Sequence, residues 1–120
     1  MVHAITVARL GNVLVDGYGL TLYLFLPDRQ TGKSTCFAYC ATQWPPVTLP
    51  AGVTTPVTGS GVVPALVGTT RRGDSLQVTY DGWPLYRWIG DTASGQATGE
   101  GLRNSGGLWY VVDEAGQPVR

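Results

Sequence analysis

Eight carboxylates, two cysteines and one histidine hold most of the reactive chemistry available to this chain. Two of the acids, Asp28 and Asp91, close copies of a single pattern: Tyr23-Leu24-Phe25-Leu26-Pro27-Asp28 and Tyr86-Arg87-Trp88-Ile89-Gly90-Asp91. Each copy reads Tyr, any residue, aromatic, two residues, Asp. Brought together, Asp28 and Asp91 would be the carboxylate pair that glycoside hydrolysis requires, with the aromatics as a platform for a sugar ring. The plainer reading is structural. Tyr23 and Phe25 share one face of a strand, as do Tyr86 and Trp88, and aromatics on a repeated strand usually pack. Asp28-x-x-x-Gly32 and Asp91-x-x-x-Gly95 are turn chemistry, in which an Asp side chain accepts backbone N–H groups of the loop after its strand.

Cys36-x-x-x-Cys40 is read as a structural disulfide closing a very small loop ahead of Trp44, worth about 2 kcal/mol by loop-closure entropy. Two alternatives stand beside it: a redox or copper-binding pair, since two thiolates suit soft metals, and free thiols. A closed zinc site needs four ligands, and His3 is the only histidine. Met1-Val2-His3 could chelate Cu(II) through amine, amides and imidazole if Met1 were the mature terminus; the simpler reading is a surface His. One His with no Ser or Cys beside it in a recognisable motif gives no catalytic triad. Arg72-Gly73-Asp74 is ordinary turn chemistry. No loop built to cradle phosphate is present, and no cofactor is expected.

The elements that must position these residues come as a tandem duplication. At an offset of 63 residues, positions 13–32 match positions 76–95 at six places: Val15/Val78, Gly19/Gly82, Leu22/Leu85, Tyr23/Tyr86, Asp28/Asp91 and Gly32/Gly95. The first repeat opens with strands over 4–10 and 13–15, and Asp16-Gly17 signals a hairpin. Its central strand, 20–26, is apolar or aromatic on both faces and so is expected to be covered on both. A polar loop over 28–34, a short turn or single helical turn at 36–41 and the extended Trp44-Pro45-Pro46 follow. A charge-free stretch rich in Thr, Gly and Pro links the halves, with room for one or two edge strands. The second repeat has strands over 65–70 and 75–80, a hairpin at Asp81-Gly82, a second central strand over 85–89, a loop over 90–107 with six glycines, and a last strand, 108–112, carrying Trp109. Leu76, Val78 and Tyr80 alternate with Ser75, Gln77 and Thr79. No apolar set recurs at helical spacing. The expectation is one all-β domain, 4–119, of two pseudo-symmetric repeats of antiparallel hairpins, sandwich or barrel-like, with little or no helix: repeat one about 4–50, linker about 51–64, repeat two about 65–119.

Composition narrows the function classes. Charged residues are 13% of the chain against 43% apolar, and the formal net charge is zero, so a basic nucleic-acid binder, a solvated coiled coil and an acidic tail are unlike it. No apolar run is long enough to span a membrane as a helix, and no secretory leader opens the chain. Low charge, one Met, one His and two closely spaced Cys suit an exported protein.

Taken together, Gly19-Leu20-Thr21-Leu22-Tyr23-Leu24-Phe25-x-x-Asp28, Cys36-x-x-x-Cys40-Ala41-x-x-Trp44-Pro45-Pro46, Tyr80-Asp81-Gly82-x-Pro84-Leu85-Tyr86-x-Trp88-x-x-Asp91 and Gly107-Leu108-Trp109-Tyr110-Val111-Val112 resemble the bacterial secreted repeat of unknown function. This is a predicted lipoprotein family with a Tyr-x-aromatic-x-x-Asp motif, and the resemblance covers about residues 4–119. It implies export, or lipid anchoring at the cell envelope, and it strengthens the disulfide reading of Cys36 and Cys40. It implies no reaction. The expected function is a non-enzymatic structural or binding module whose partner is cell-wall glycan, an envelope protein or another copy of itself. The candidate residues are Tyr23, Phe25, Asp28, Trp44, Tyr86, Trp88, Asp91 and Trp109, with Cys36 and Cys40 as the clamp. The two repeats differ in their loops, 36–46 against 90–107, and a site is expected where those loops meet.

Overall fold

The computed structural model describes residues 1–120 and is mostly antiparallel sheet, in sandwich-like layers without barrel closure. Two hairpins start the two repeats. In the first, β1 (Val2–Val7) pairs with β2 (Gly11–Asp16), from Val2 opposite Asp16 to Val7 opposite Gly11. The only α-helix, α1, is the short turn Tyr39–Gln43. In the second, β4 (Val67–Arg72) pairs with β5 (Ser75–Tyr80), from Val67 opposite Tyr80 to Arg72 opposite Ser75. Asp81 and Gly82 both take positive φ, 51° and 82°, the geometry of a tight two-residue hairpin turn. They join β5 to β6 (Trp83–Pro84).

The first central strand, β3 (Tyr23–Phe25), is covered on both faces, as its two-sided apolar pattern demands. Leu22 and Leu24 sit in one core with Leu14, Val78, Tyr80, Leu85 and Val112. Tyr23 and Phe25 sit in a second with Val13, Val15, Cys36, Trp44, Tyr86, Trp109 and Val111. The polar face expected on β5 is buried too: Gln77 is fully buried and Thr79 nearly so. Gln77 donates from Nε2 to the Leu85 carbonyl at 2.8 Å, while its Oε1 has no partner. The alternation therefore marks a strand that is buried on both sides from Gln77 to Tyr80.

Three expectations shift. The strand expected over 85–89 is not a regular strand. Tyr86 bridges singly to Tyr23 and to Pro46. Opposite Arg87, Pro45 has no N–H to return the bond its carbonyl accepts, so the ladder stops there. The long loop over 90–107 contains β7 (Arg103–Asn104), which pairs with β8 (Gly107–Val111) across Ser105-Gly106. The gap-free alignment also slips by one residue. The Leu22 N–H donates to the Leu14 carbonyl and the Leu85 N–H to the Val78 carbonyl, each at 3.0 Å. Leu14 is thus the counterpart of Val78, and Val15 that of Thr79. The turn after β2 is one residue longer, and one residue moves every side chain to the other face.

The topology interlocks the repeats. β3 of the first pairs with β8 of the second, with Tyr23, Leu24 and Phe25 opposite Val111, Tyr110 and Trp109. In return, Tyr86 of the second pairs with Pro46 of the first, and the Arg87 N–H donates to the Pro45 carbonyl at 2.8 Å. At the centre Tyr23 and Tyr86 exchange backbone hydrogen bonds of 2.8 and 3.0 Å.

Candidate functional site

Each Tyr of the doubled motif bonds the Asp of the other copy. The Tyr23 hydroxyl donates to Asp91 Oδ2 at 2.5 Å, and the Tyr86 hydroxyl donates to Asp28 Oδ2 at 2.8 Å. The remaining oxygen of each acid pins the loop that follows. Asp28 Oδ1 accepts from the Thr35 N–H at 2.9 Å and the Thr35 hydroxyl at 2.6 Å. Asp91 Oδ1 accepts from the Thr98 N–H at 2.9 Å and the Thr98 hydroxyl at 2.7 Å. Asp28 is 1% exposed and Asp91 6%. A motif short enough to look local is therefore a pair of crossed long-range contacts.

The motif aromatics are core. Phe25, Trp109, Trp44 and Trp88 form one continuous column, with successive ring centroids 4.1, 3.9 and 4.2 Å apart. The order is palindromic: motif aromatic of repeat one, tryptophan of repeat two, tryptophan of repeat one, motif aromatic of repeat two. Tyr23 meets Trp44 edge-on and Tyr86 meets Trp109 edge-on, at centroid distances of 5.3 and 5.0 Å, a favourable arrangement of ring quadrupoles. Tyr23, Trp44, Tyr86 and Trp109 are fully buried, Phe25 is 3% exposed, and Trp88 is half-buried. Trp44 Nε1 has no hydrogen-bond partner, so stacking fixes that ring. The differing loops do meet here: a Cβ on Gly99 would lie 2.8 Å from the Trp44 ring and 3.1 Å from Trp88.

Burial sets the electrostatics. It raises the phenol pKa of Tyr23 and of Tyr86 well above the ordinary value, and each facing carboxylate adds to the shift. Burial also raises Asp28, against the hydrogen bonds from Thr35 and Tyr86 and the nearby Arg72 charge. Glu100 is raised by burial as well, while its Oε1 accepts the Val111 N–H at 2.8 Å.

Cys36 and Cys40 are joined as a disulfide, and no free cysteine remains. Cys36 is buried in the aromatic core. At the offset of the duplication its counterpart is Gly99. Between the sulfurs, Ala38 holds φ 53° and ψ −123°, a region costly for a residue with a Cβ. The clamp turns Phe37 and Tyr39 outward, 53% and 72% exposed. Arg72 braces this turn. One guanidinium nitrogen donates to Ser34 Oγ at 2.6 Å and the other to the Cys36 carbonyl, and the guanidinium lies 4.2 Å from the Phe37 ring centre. Ser34 in turn hydrogen-bonds the Tyr86 hydroxyl.

His3 is half-buried within β1, not a free surface residue, and its Nδ1 has no partner. The Val2 N–H, which an N-terminal copper chelate would need, donates to the Val57 carbonyl at 2.9 Å. No cluster of three or more His, Cys, Asp or Glu side chains has metal-holding geometry.

Sequence reasoning missed Thr35 and Thr98, which stand at the same offset of 63 but beyond the run of matching positions at 13–32. It also missed Ser34, Arg72, Phe37 and Tyr39, whose roles have no counterpart in the other repeat. A family model described as a secreted repeat of unknown function matches the chain in two stretches, residues 4–48 and 68–113. No curated protein and no solved structure matches.

Proposed function

We propose that this chain, which belongs to the family of secreted repeats of unknown function, is a non-enzymatic structural or binding module working outside the cytoplasm at the bacterial cell envelope. The observation that carries the reading is a division of labour. The paired acids and both cysteines are engaged within the fold, while two exposed aromatics sit on a covalently clamped turn. Asp28 and Asp91 are buried, and both oxygens of each accept internal hydrogen bonds. A carboxylate buried this deeply and held by three internal hydrogen bonds is closed off from a glycosidic oxygen. The copper alternative needs two thiolates, and the two sulfurs are bonded to each other. Phe37 and Tyr39, by contrast, face solvent on a backbone that the disulfide keeps ordered. Rigid aromatic rings presented at low entropic cost suit stacking on the apolar faces of sugar rings. Cell-wall glycan is the partner this favours, and no helix is long and apolar enough to cross a membrane.

Co-sedimentation with purified, insoluble cell-wall glycan tests this. Wild-type protein is expected in the pellet, and the double variant Phe37→Ala, Tyr39→Ala in the supernatant, still folded and melting only a few degrees lower for loss of the Arg72 contact to Phe37. Equal retention of both, or of neither, refutes the reading.

A further inference from the structure

We infer that the second repeat of one copy can take the place of the first copy's own, so that two chains associate by exchanging repeats; the partner is a second copy of this chain. Four observations carry it. Each surface presented at the repeat interface holds one donor and one acceptor: Tyr23 with Asp28 on one side, Tyr86 with Asp91 on the other. The stack runs in palindromic order across it. Such an interface is self-complementary, as an interface between two like units must be. Each motif strand finds backbone partners in the other repeat, Tyr23 in Val111 and Tyr86, and Tyr86 in Tyr23 and Pro46. A repeat alone leaves those strand groups and a buried acid unsatisfied.

The fourth observation is the connection. The chain passes between the repeats through residues 51–55, every one exposed, with Gly52 at φ 82°. On one side of this segment the Leu49 N–H donates to the Leu76 carbonyl of β5 at 2.9 Å. On the other, residues 57–60 run along β1: the Val2 N–H donates to the Val57 carbonyl and the Ala4 N–H to the Ser60 carbonyl, both at 2.9 Å. Straightening 51–55 therefore moves residues 56–120 onto a second copy with every contact of both lobes reproduced. The exchange alters only a short solvent-facing loop, which is the condition under which swapping elements between protomers costs little.

Two full-length variants test this by complementation. Tyr23→Phe, Asp28→Ala removes the donor and the acceptor that the first repeat contributes to the crossed hydrogen bonds. Tyr86→Phe, Asp91→Ala removes those of the second. Unfolded together and co-refolded at high concentration, they are expected to give a heterodimer by light scattering. One of its lobes carries both bonds intact, and its melting transition lies roughly 10 °C above either parent refolded alone. The rescue is read even if neither parent folds alone. A third variant lacks Gly52, Val53 and Thr54, which removes the turn closed by the Val53 N–H to Pro50 carbonyl bond and disfavours the closed monomer, and is expected to be a folded dimer. A mixture that melts as the sum of its parents, together with a shortened chain that is monomeric or unfolded, overturns the inference.

Discussion

At the scale of single residues, the informative unit is a tyrosine and an aspartate on different repeats. Each acid is buried and takes its hydrogen bonds from a phenol across the interface and a threonine in its own loop. Ionising either phenol would set a phenolate against a carboxylate at hydrogen-bond distance. The folded pKa of Tyr23 and Tyr86 lies above the ordinary 10.0. Their contribution to stability is thus complete below pH 10.0 and is lost as pH rises beyond it, because the unfolded phenols ionise first. An alkaline titration followed by phenolate absorbance should show Tyr23 and Tyr86 failing to ionise until the protein unfolds. The pair Tyr23→Phe, Tyr86→Phe should remove their share of the absorbance released on unfolding. Asp28 follows the same sign lower on the scale. Its folded pKa is raised above 3.8, so the stability it contributes is present in acid and lost as pH rises through the carboxylate range. The deficit of Asp28→Asn against wild type should shrink over that window in urea titrations at stepped pH. Both acids and both tyrosines were legible in the sequence. Their partners were not, because hydrogen bonds spanning 68 and 58 residues leave no local pattern.

Among the elements, the two loops after the motif solve one problem by different means. In the second repeat Gly99 lets the backbone pass against Trp44 and Trp88 without a side chain. In the first, Cys36 fills the corresponding place and is tied to Cys40. The clamp closes so short a loop that its entropic value is about 2 kcal/mol, and it opposes the unfavourable backbone at Ala38. Cys36→Ser, Cys40→Ser should therefore remain folded with a modest loss of stability by urea denaturation. Hydrogen exchange should rise in residues 36–43 and not in β2 or β5. The disulfide was readable from spacing and the resemblance to an exported family. The bracing of that turn was not, since Arg72 reaches Ser34, Cys36 and Phe37 from the second repeat.

For the molecule as a whole, crossed strands and a shared aromatic column make the two repeats one cooperative unit. Neither has a core of its own: each core draws on both repeats. Tyr23→Phe leaves the Asp91 carboxylate without its phenol donor at a cost of about 1.5–3 kcal/mol. That loss should appear in both halves at once. Tryptophan fluorescence and far-ultraviolet circular dichroism should report a single coincident transition, shifted by the same amount. A biphasic curve would mean that the repeats fold independently.

The amino-acid pattern alone was enough for an all-β chain of two related halves, a central strand covered on both faces, and acids that pin the loops behind their strands. Each follows from local periodicity and turn chemistry, which act over a few residues. Which tyrosine meets which aspartate, the order of the ring column, and the one-residue slip between Val15 and Val78 were settled by tertiary structure. These depend on how the two repeats cross, and a duplicated sequence is equally compatible with halves lying side by side. Crossing wins because each motif strand and each buried acid has a hydrogen-bonding need that its own repeat does not meet.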